Sequence, residues 1–349
     1  MRDFICPNCG QRLAFENSAC LACGGRLGFS LDEMALLVIG DGYTAAPGTV
    51  AADQYEWCAN RHVAQCNWLV PVRTVRQLCQ SCALTRTRPC DADRAALAAF
   101  AAAEKAKRRL IVELRELRLP ILDRVADPDF GLAFDLLSSA EQKVVTGHAG
   151  GIITLDLAES DDVHREQLRV EMDEPYRTLL GHCRHEIGHY YFYRLIEPSP
   201  MNLAQFHALF GDPNADYQTA LDRHYGQGPP HGWQREHISS YATMHAAEDW
   251  AETFAHYLHI RDTLDTAAAF SFASAAGTYE RRFVGRRGFD TMIAMWLPLA
   301  WALNMVNRSM GKDDLYPFVL PSAVQNKMRF IHAVIDEQAN PPRQLAAAA

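Results

Sequence analysis

The sequence lacks an uninterrupted apolar run suited to a bilayer. Its longest candidate, Met292–Val306, contains Pro298 and falls short of the roughly 20 apolar residues that a membrane helix needs. A buried, kinked helix is expected there, with no membrane contact. An apolar leader is also missing, because Met1 runs almost directly into Cys6; no secretory signal is expected, and a cytoplasmic location is. Positive charge is in deficit, at a net −8, which argues against a grip on nucleic acid by the whole chain. No basic patch is interleaved with aromatic residues in the manner of single-strand binders. Cysteine is scarce beyond residue 90: nine of the ten lie at or before it, and only Cys183 follows. In a cytoplasmic chain such crowding reads as metal sites rather than disulfides.

What is present fits a folded chain of several parts. With 349 residues, 48% of them hydrophobic, two or three units with packed cores are expected and wholesale disorder is not. Composition divides the chain into a cysteine-rich region over 1–90, a connecting helix over 91–119 that Pro120 ends, a large domain over 120–342 and a frayed tail over 343–349. Lys105, Lys107, Arg108 and Arg109 on the connecting helix read as a solvated face. Phe130–Leu137 and Gly151–Leu157 read as strands, with the glycine-rich 146–151 stretch turning between Val144-Val145 and the second run. The segment from Gly211 to Pro230 reads as irregular with short helical pieces, and Met292–Val306 and Val324–Ile335 as late packing helices. The expected fold class is α+β, mainly helical after the cysteine-rich region, with a small antiparallel or mixed sheet.

Cys6-Pro-Asn-Cys9-Gly and Cys20-Leu-Ala-Cys23-Gly form two CxxC knuckles. Two tight turns at this spacing can present four thiolates tetrahedrally to one zinc, and the following glycines supply the positive φ such turns need. A redox dithiol would need only one pair. A second structural zinc is expected on Cys58, Cys66, Cys79 and Cys82, with His62 or Cys90 as substitutes for one ligand. Metal-stapled modules need only a modest core, which Trp57, Trp68, Leu69 and Val70 can supply.

The feature with most chemical content is His185-Glu186-Ile187-Gly188-His189. On a helix the two histidines lie one turn apart on one face, able to reach one metal while the glutamate leans over the same opening. Leu180, Cys183, Ile187 and Tyr190 recur as the buried side. For a chain with 14 His, chance would produce the pattern about 0.03 times. A catalytic zinc needs a third protein ligand and an open position. A metzincin would carry glycine at 192 and histidine at 195, where this chain has Phe192 and Leu195. Downstream, Glu248 and Glu252 lie one helical turn apart, so one can bind metal while the other orients a ligand histidine through its free ring nitrogen; His245 is a further competitor.

HEIGH followed some sixty residues later by EDWAETF resembles the gluzincin clan of metallopeptidases, and the run from Tyr241 to Phe254 is similar to that of the anthrax lethal factor catalytic domain. More closely, the chain resembles a bacterial family of zinc-binding metallopeptidases with an N-terminal zinc ribbon. That resemblance rests on both knuckles, WCANRHVAQCNWLVP, the KRRL helix, TGHAGGIITLDLAESDD, EPYRTLLGHCRHEIGHYYFYRLI and EDWAETFAHYLHI. It implies a zinc peptidase with His185, His189 and Glu248 as ligands, Glu252 supporting a ligand from outside, Glu186 as general base and Tyr241 as oxyanion donor. It also implies that the strand near Ile152–Leu157 edges the cleft and pairs with an extended peptide. The cofactor expectation is one catalytic zinc and one or two structural zincs. The expected partners are a peptide or protein substrate and a protein bound by the ribbon. The rival expectation is a zinc-ribbon adaptor that binds peptides in a peptidase-like cleft without cutting them.

Overall fold

A computed structural model of the protein describes residues 3–39, 54–73, 77–140, 143–171, 174–272 and 285–339; the tail expected over 343–349 lies outside them. The chain forms two compact units, one of residues 1–112 with 122–171, the other of 113–121 with 172–349. This partition crosses the connecting helix instead of following chain order.

The first unit opens with three short hairpins, β1 (Phe4–Ile5) with β2 (Arg12–Leu13), β3 (Leu27–Ser30) with β4 (Ala35–Val38), and β5 (Tyr55–Trp57) with β6 (Leu69–Pro71). They close over the buried rings of Phe4, Phe15, Phe29 and Trp68, with Phe15 and Phe29 edge to face at 4.8 Å. The glycine after each knuckle turns with positive φ, 76° at Gly10 and 72° at Gly24, a conformation that side chains resist. Gly28 has no room for a side chain, since a Cβ there would lie 2.3 Å from Leu69 Cδ2.

After the short α1 (Gln80–Ala83) and β7 (Thr85–Thr87) comes α2 (Arg94–Glu116), the expected connecting helix. Its basic residues correct the sequence expectation. Lys105 is exposed and Arg109 half-buried, but Lys107 and Arg108 are buried. They are held because each finds partners: Lys107 bonds Glu104 at 2.6 Å and also Thr85, while Arg108 donates to the carbonyls of Ala64 and Gln65. Buried charge is tolerated only when paired in this way.

The remaining strands are β8 (Ala133–Leu137), β9 (Gly147–Ala149) and β10 (Ile152–Asp156), followed by α3 (Asp162–Glu171). They form a mixed sheet of order β7-β8-β10-β9, parallel except for the β9–β10 pair. The strand before the glycine turn is therefore 147–149 rather than Val144-Val145. Nor is β10 an edge. It pairs with β8 on one side and β9 on the other, because the glycine-rich turn folds β9 back onto it, so the edge expected of it belongs to β9.

The second unit is helical: α4 (Leu179–Tyr191), α5 (Pro200–Phe210), α6 (Tyr217–Gln227), α7 (Ala246–Ala269), α8 (Gly285–Ser309) and α9 (Ser322–Ala339). The stretch expected to be irregular thus holds α6 and follows α5; Ser199 and Asp216 cap their first turns, accepting from Asn202 N and Thr219 N. Both caps stop orphan N–H groups from fraying the helix. In α8 the expected burial holds for one face only. Phe289, Met292 and Trp296 are buried, while Leu297, Trp301 and Val306 are 47%, 66% and 58% exposed. By length and composition the 22 residues Gly288–Ser309 are enough to cross a membrane, more than the shorter run counted from sequence.

The central packing of this unit is α4 against α7. Gly188 makes it possible, since a Cβ there would lie 3.0 Å from Ala251 Cα and 3.3 Å from Phe254 Cβ. The bared carbonyl of Gly188 accepts from Trp250 Nε1 at 2.8 Å. Arg184 ties α4 to α7 from the side through Asp262 at 2.8 Å, and also bonds Glu113 of α2 at 3.0 Å.

Candidate functional site

Thr178 starts α4 by accepting from Gly181 N, and a wider π-helical turn over Phe192–Ile196 ends it. Between them, Cys183, Ile187 and Tyr190 face the core, which turns His185 and His189 toward the first turns of α7. That helix begins after His245, whose Nδ1 accepts from Ala247 N and whose Nε2 lies 3.0 Å from Ala215 O. His245 is thereby occupied as a cap and stands apart from the metal-binding group.

Three donor atoms converge. His185 Nε2 lies 3.0 Å from Glu248 Oε2 and 3.2 Å from His189 Nε2, and His189 Nε2 lies 3.5 Å from Glu248 Oε2. Tetrahedral ligands at the usual zinc distances sit about 3.3 Å apart, so the residues fit a zinc ion without rearrangement. Glu248 is buried while both imidazoles are partly open, 12% and 16% exposed. Glu252, one turn along α7, reaches the other nitrogen of His185, with Oε1 2.7 Å from Nδ1. Its Oε2 accepts from Ser239 Oγ at 2.6 Å.

The charges are mutually dependent. Burial disfavours ionisation of Glu248, but the His189 and His185 imidazoles overcome it and hold the carboxyl below its usual range. Burial opposes ionisation of the partly exposed Glu252 as well, but its bond to His185 holds the carboxyl at about 2. Burial likewise opposes a charged His185, yet its bonds to Glu248 and Glu252 raise its proton affinity well above that of an ordinary imidazole. Two carboxylates focused on these rings call for positive charge between them, which a divalent cation satisfies.

Glu186 is 7% exposed, and its Oε2 has no hydrogen-bond partner among the described residues. Tyr241 packs over His185, ring centroids 6.1 Å apart; burial, then the Glu248 charge, keeps its phenol protonated. Two members were not anticipated from sequence. Ser239 anchors Glu252, and Tyr217, at the start of α6, donates to Glu248 Oε1 at 3.1 Å. No motif marks either; the Asp216-x-x-Thr219 cap signals a helix but not what its first residue touches.

The cysteines of the first unit form two groups, Cys6 with Cys9, Cys20 and Cys23, and Cys58 with Cys66, Cys79 and Cys82. Sulfur separations of 3.8 Å for Cys6–Cys23, 3.6 Å for Cys9–Cys20 and 3.7 Å for Cys66–Cys79 match the roughly 3.8 Å edge of a tetrahedral zinc–thiolate site. His62 and Cys90, the suggested substitutes, are exposed and belong to neither group.

Residues 96–334 match the sequence profile of the family described as "Putative zinc-binding metallo-peptidase". The chain belongs to that family. Ahead of this metallopeptidase region, residues 3–93 match a zinc-ribbon domain, in keeping with the four-thiolate groups. The chain is 68% identical over 339 residues, 97% of its length and 96% of theirs, to uncharacterized proteins of Mycobacterium bovis and of two strains of Mycobacterium tuberculosis. No solved structure matches it significantly.

Proposed function

We propose that this zinc metallopeptidase family member hydrolyses peptide bonds at the His185–His189–Glu248 centre, with the ligand arrangement of a gluzincin. The observation that carries the reading is the convergence of those three donors beside a buried carboxylate oxygen that nothing in the described chain satisfies. A zinc ion held there supplies a Lewis acid and makes water nucleophilic near neutral pH.

The chain's own groups divide the remaining work. Glu186 accepts the proton of the attacking water and returns it to the leaving amine. Tyr241, whose proton is tightly held, donates to the oxyanion that develops on the scissile carbonyl. Glu252 fixes the ring of His185 in one orientation, and Ser239 fixes Glu252. The substrate is a peptide or protein, and the chain acts in the cytoplasm. The four-thiolate sites leave no open coordination position, so the ribbon serves recruitment of a protein partner or substrate rather than chemistry.

The test is cleavage of a mixed peptide library by the zinc-loaded chain. Cleavage that stops with a chelator and returns on addition of zinc is expected. Peptides bound but never cut would replace the peptidase reading with the adaptor.

A further inference from the structure

Tyr217 lies outside the HEIGH helix and outside the Tyr241–Glu252 segment, yet its phenol is bonded to the carboxylate at the centre of the site. Glu248 uses its two oxygens differently. Oε2 faces both imidazoles, at 3.0 Å and 3.5 Å, while Oε1 accepts the Tyr217 hydroxyl at 3.1 Å. The side chain of Glu248 is 4% exposed, so water has little access to compete for Oε1. Tyr217 itself is placed by the Asp216 cap at the start of α6 and by its ring against His245, 5.3 Å between centroids.

We infer that Tyr217 is a positioning residue that keeps Glu248 monodentate. This rests on the peptidase reading above. A carboxylate free to turn would offer both oxygens to one ion and fill the coordination position that water and the scissile carbonyl need. With Oε1 occupied by a phenol, only Oε2 is presented.

Tyr217→Phe tests this, because it removes one oxygen from a ring that is 44% exposed and leaves the fold intact by circular dichroism. Cobalt(II) replaces zinc as the probe. A ligand set that grows by one oxygen weakens and shifts the visible d–d absorption of cobalt. With the absorption of cobalt held by the cysteines, read from His185→Ala/His189→Ala, subtracted, wild type is expected to give the stronger four-coordinate spectrum and Tyr217→Phe a weaker, shifted one. Tyr225→Phe, removing an exposed hydroxyl from the same helix, is expected to match wild type. A Tyr217→Phe protein with the wild-type cobalt difference spectrum would overturn the inference alone. If His185→Ala/His189→Ala leaves the metal content unchanged, the peptidase reading itself falls, so the two failures are distinguishable.

Discussion

Glu252→Gln isolates the support of a ligand from the ligand itself. The substitution keeps the volume of a partly buried side chain while removing its charge and turning one carboxylate oxygen into a donor. In the native site both oxygens are engaged, by His185 Nδ1 at 2.7 Å and Ser239 Oγ at 2.6 Å. An amide can accept only one of these protons, so Ser239 or His185 must reorient. Groups that orient ligand histidines are worth 10-fold to 100-fold in metal affinity, or about 1.4 to 2.7 kcal/mol. Since Glu252→Gln loses both the charge and one bond, the upper half of that range is expected. Ser239→Ala, which spares the His185 contact, should fall near the lower end. Competition with a chromophoric chelator measures the affinity, with His185→Ala/His189→Ala marking zinc held by cysteines alone. Glu252→Gln binding zinc as wild type does, or less weakened than Ser239→Ala, would refute the reasoning.

Other expectations follow from the same contacts. Gly188→Ala gains about 1 kcal/mol of helix propensity but presses a methyl onto the backbone of Ala251, for which overpacking costs about 1 to 3 kcal/mol; chemical denaturation should show a net loss, and zinc affinity should fall as α4 and α7 part. Cys82→Ser should remove one zinc per chain and lower the melting temperature, since it breaks a four-thiolate group and leaves the neighbouring Glu104, 3.8 Å from Cys82 Sγ, without that contact; unchanged zinc by elemental analysis would contradict it. Burial holds His256 at about 4, below the 6.5 of an exposed imidazole. The unfolded chain therefore binds more protons between those values, and stability should fall as pH drops through that window, by up to roughly 3 kcal/mol. His256→Gln should flatten this slope relative to wild type in melts run with excess chelator, and an equal slope would exclude His256 as its source.

The parts of this molecule that were legible from sequence are those in which spacing along one element sets spacing in space. His185 and His189, one turn apart, and Glu248 and Glu252, one turn apart, needed only the helix repeat. The knuckle cysteines needed only tight turns. Contacts made by tertiary packing left no local trace: Tyr217 reaches Glu248 from a different helix, and Ser239 reaches Glu252 from a loop. Lys107 and Arg108 look solvated in sequence because charge usually is, and only the positions of Glu104, Thr85 and two carbonyls reveal why they are buried. Gly188 reads as a weak helix residue until Ala251 is set against it. The short β9 gives no alternating pattern to read, having three residues, so its place at the sheet edge emerges only from pairing.

The most direct test of the central claim is peptide cleavage by Glu186→Gln at matched zinc content. The account predicts that the variant folds, carries as much zinc as wild type and still binds substrate, while its cleavage rate drops by at least about 100-fold, the lower end of what a general base contributes. Cleavage at the wild-type rate with zinc in place would contradict it.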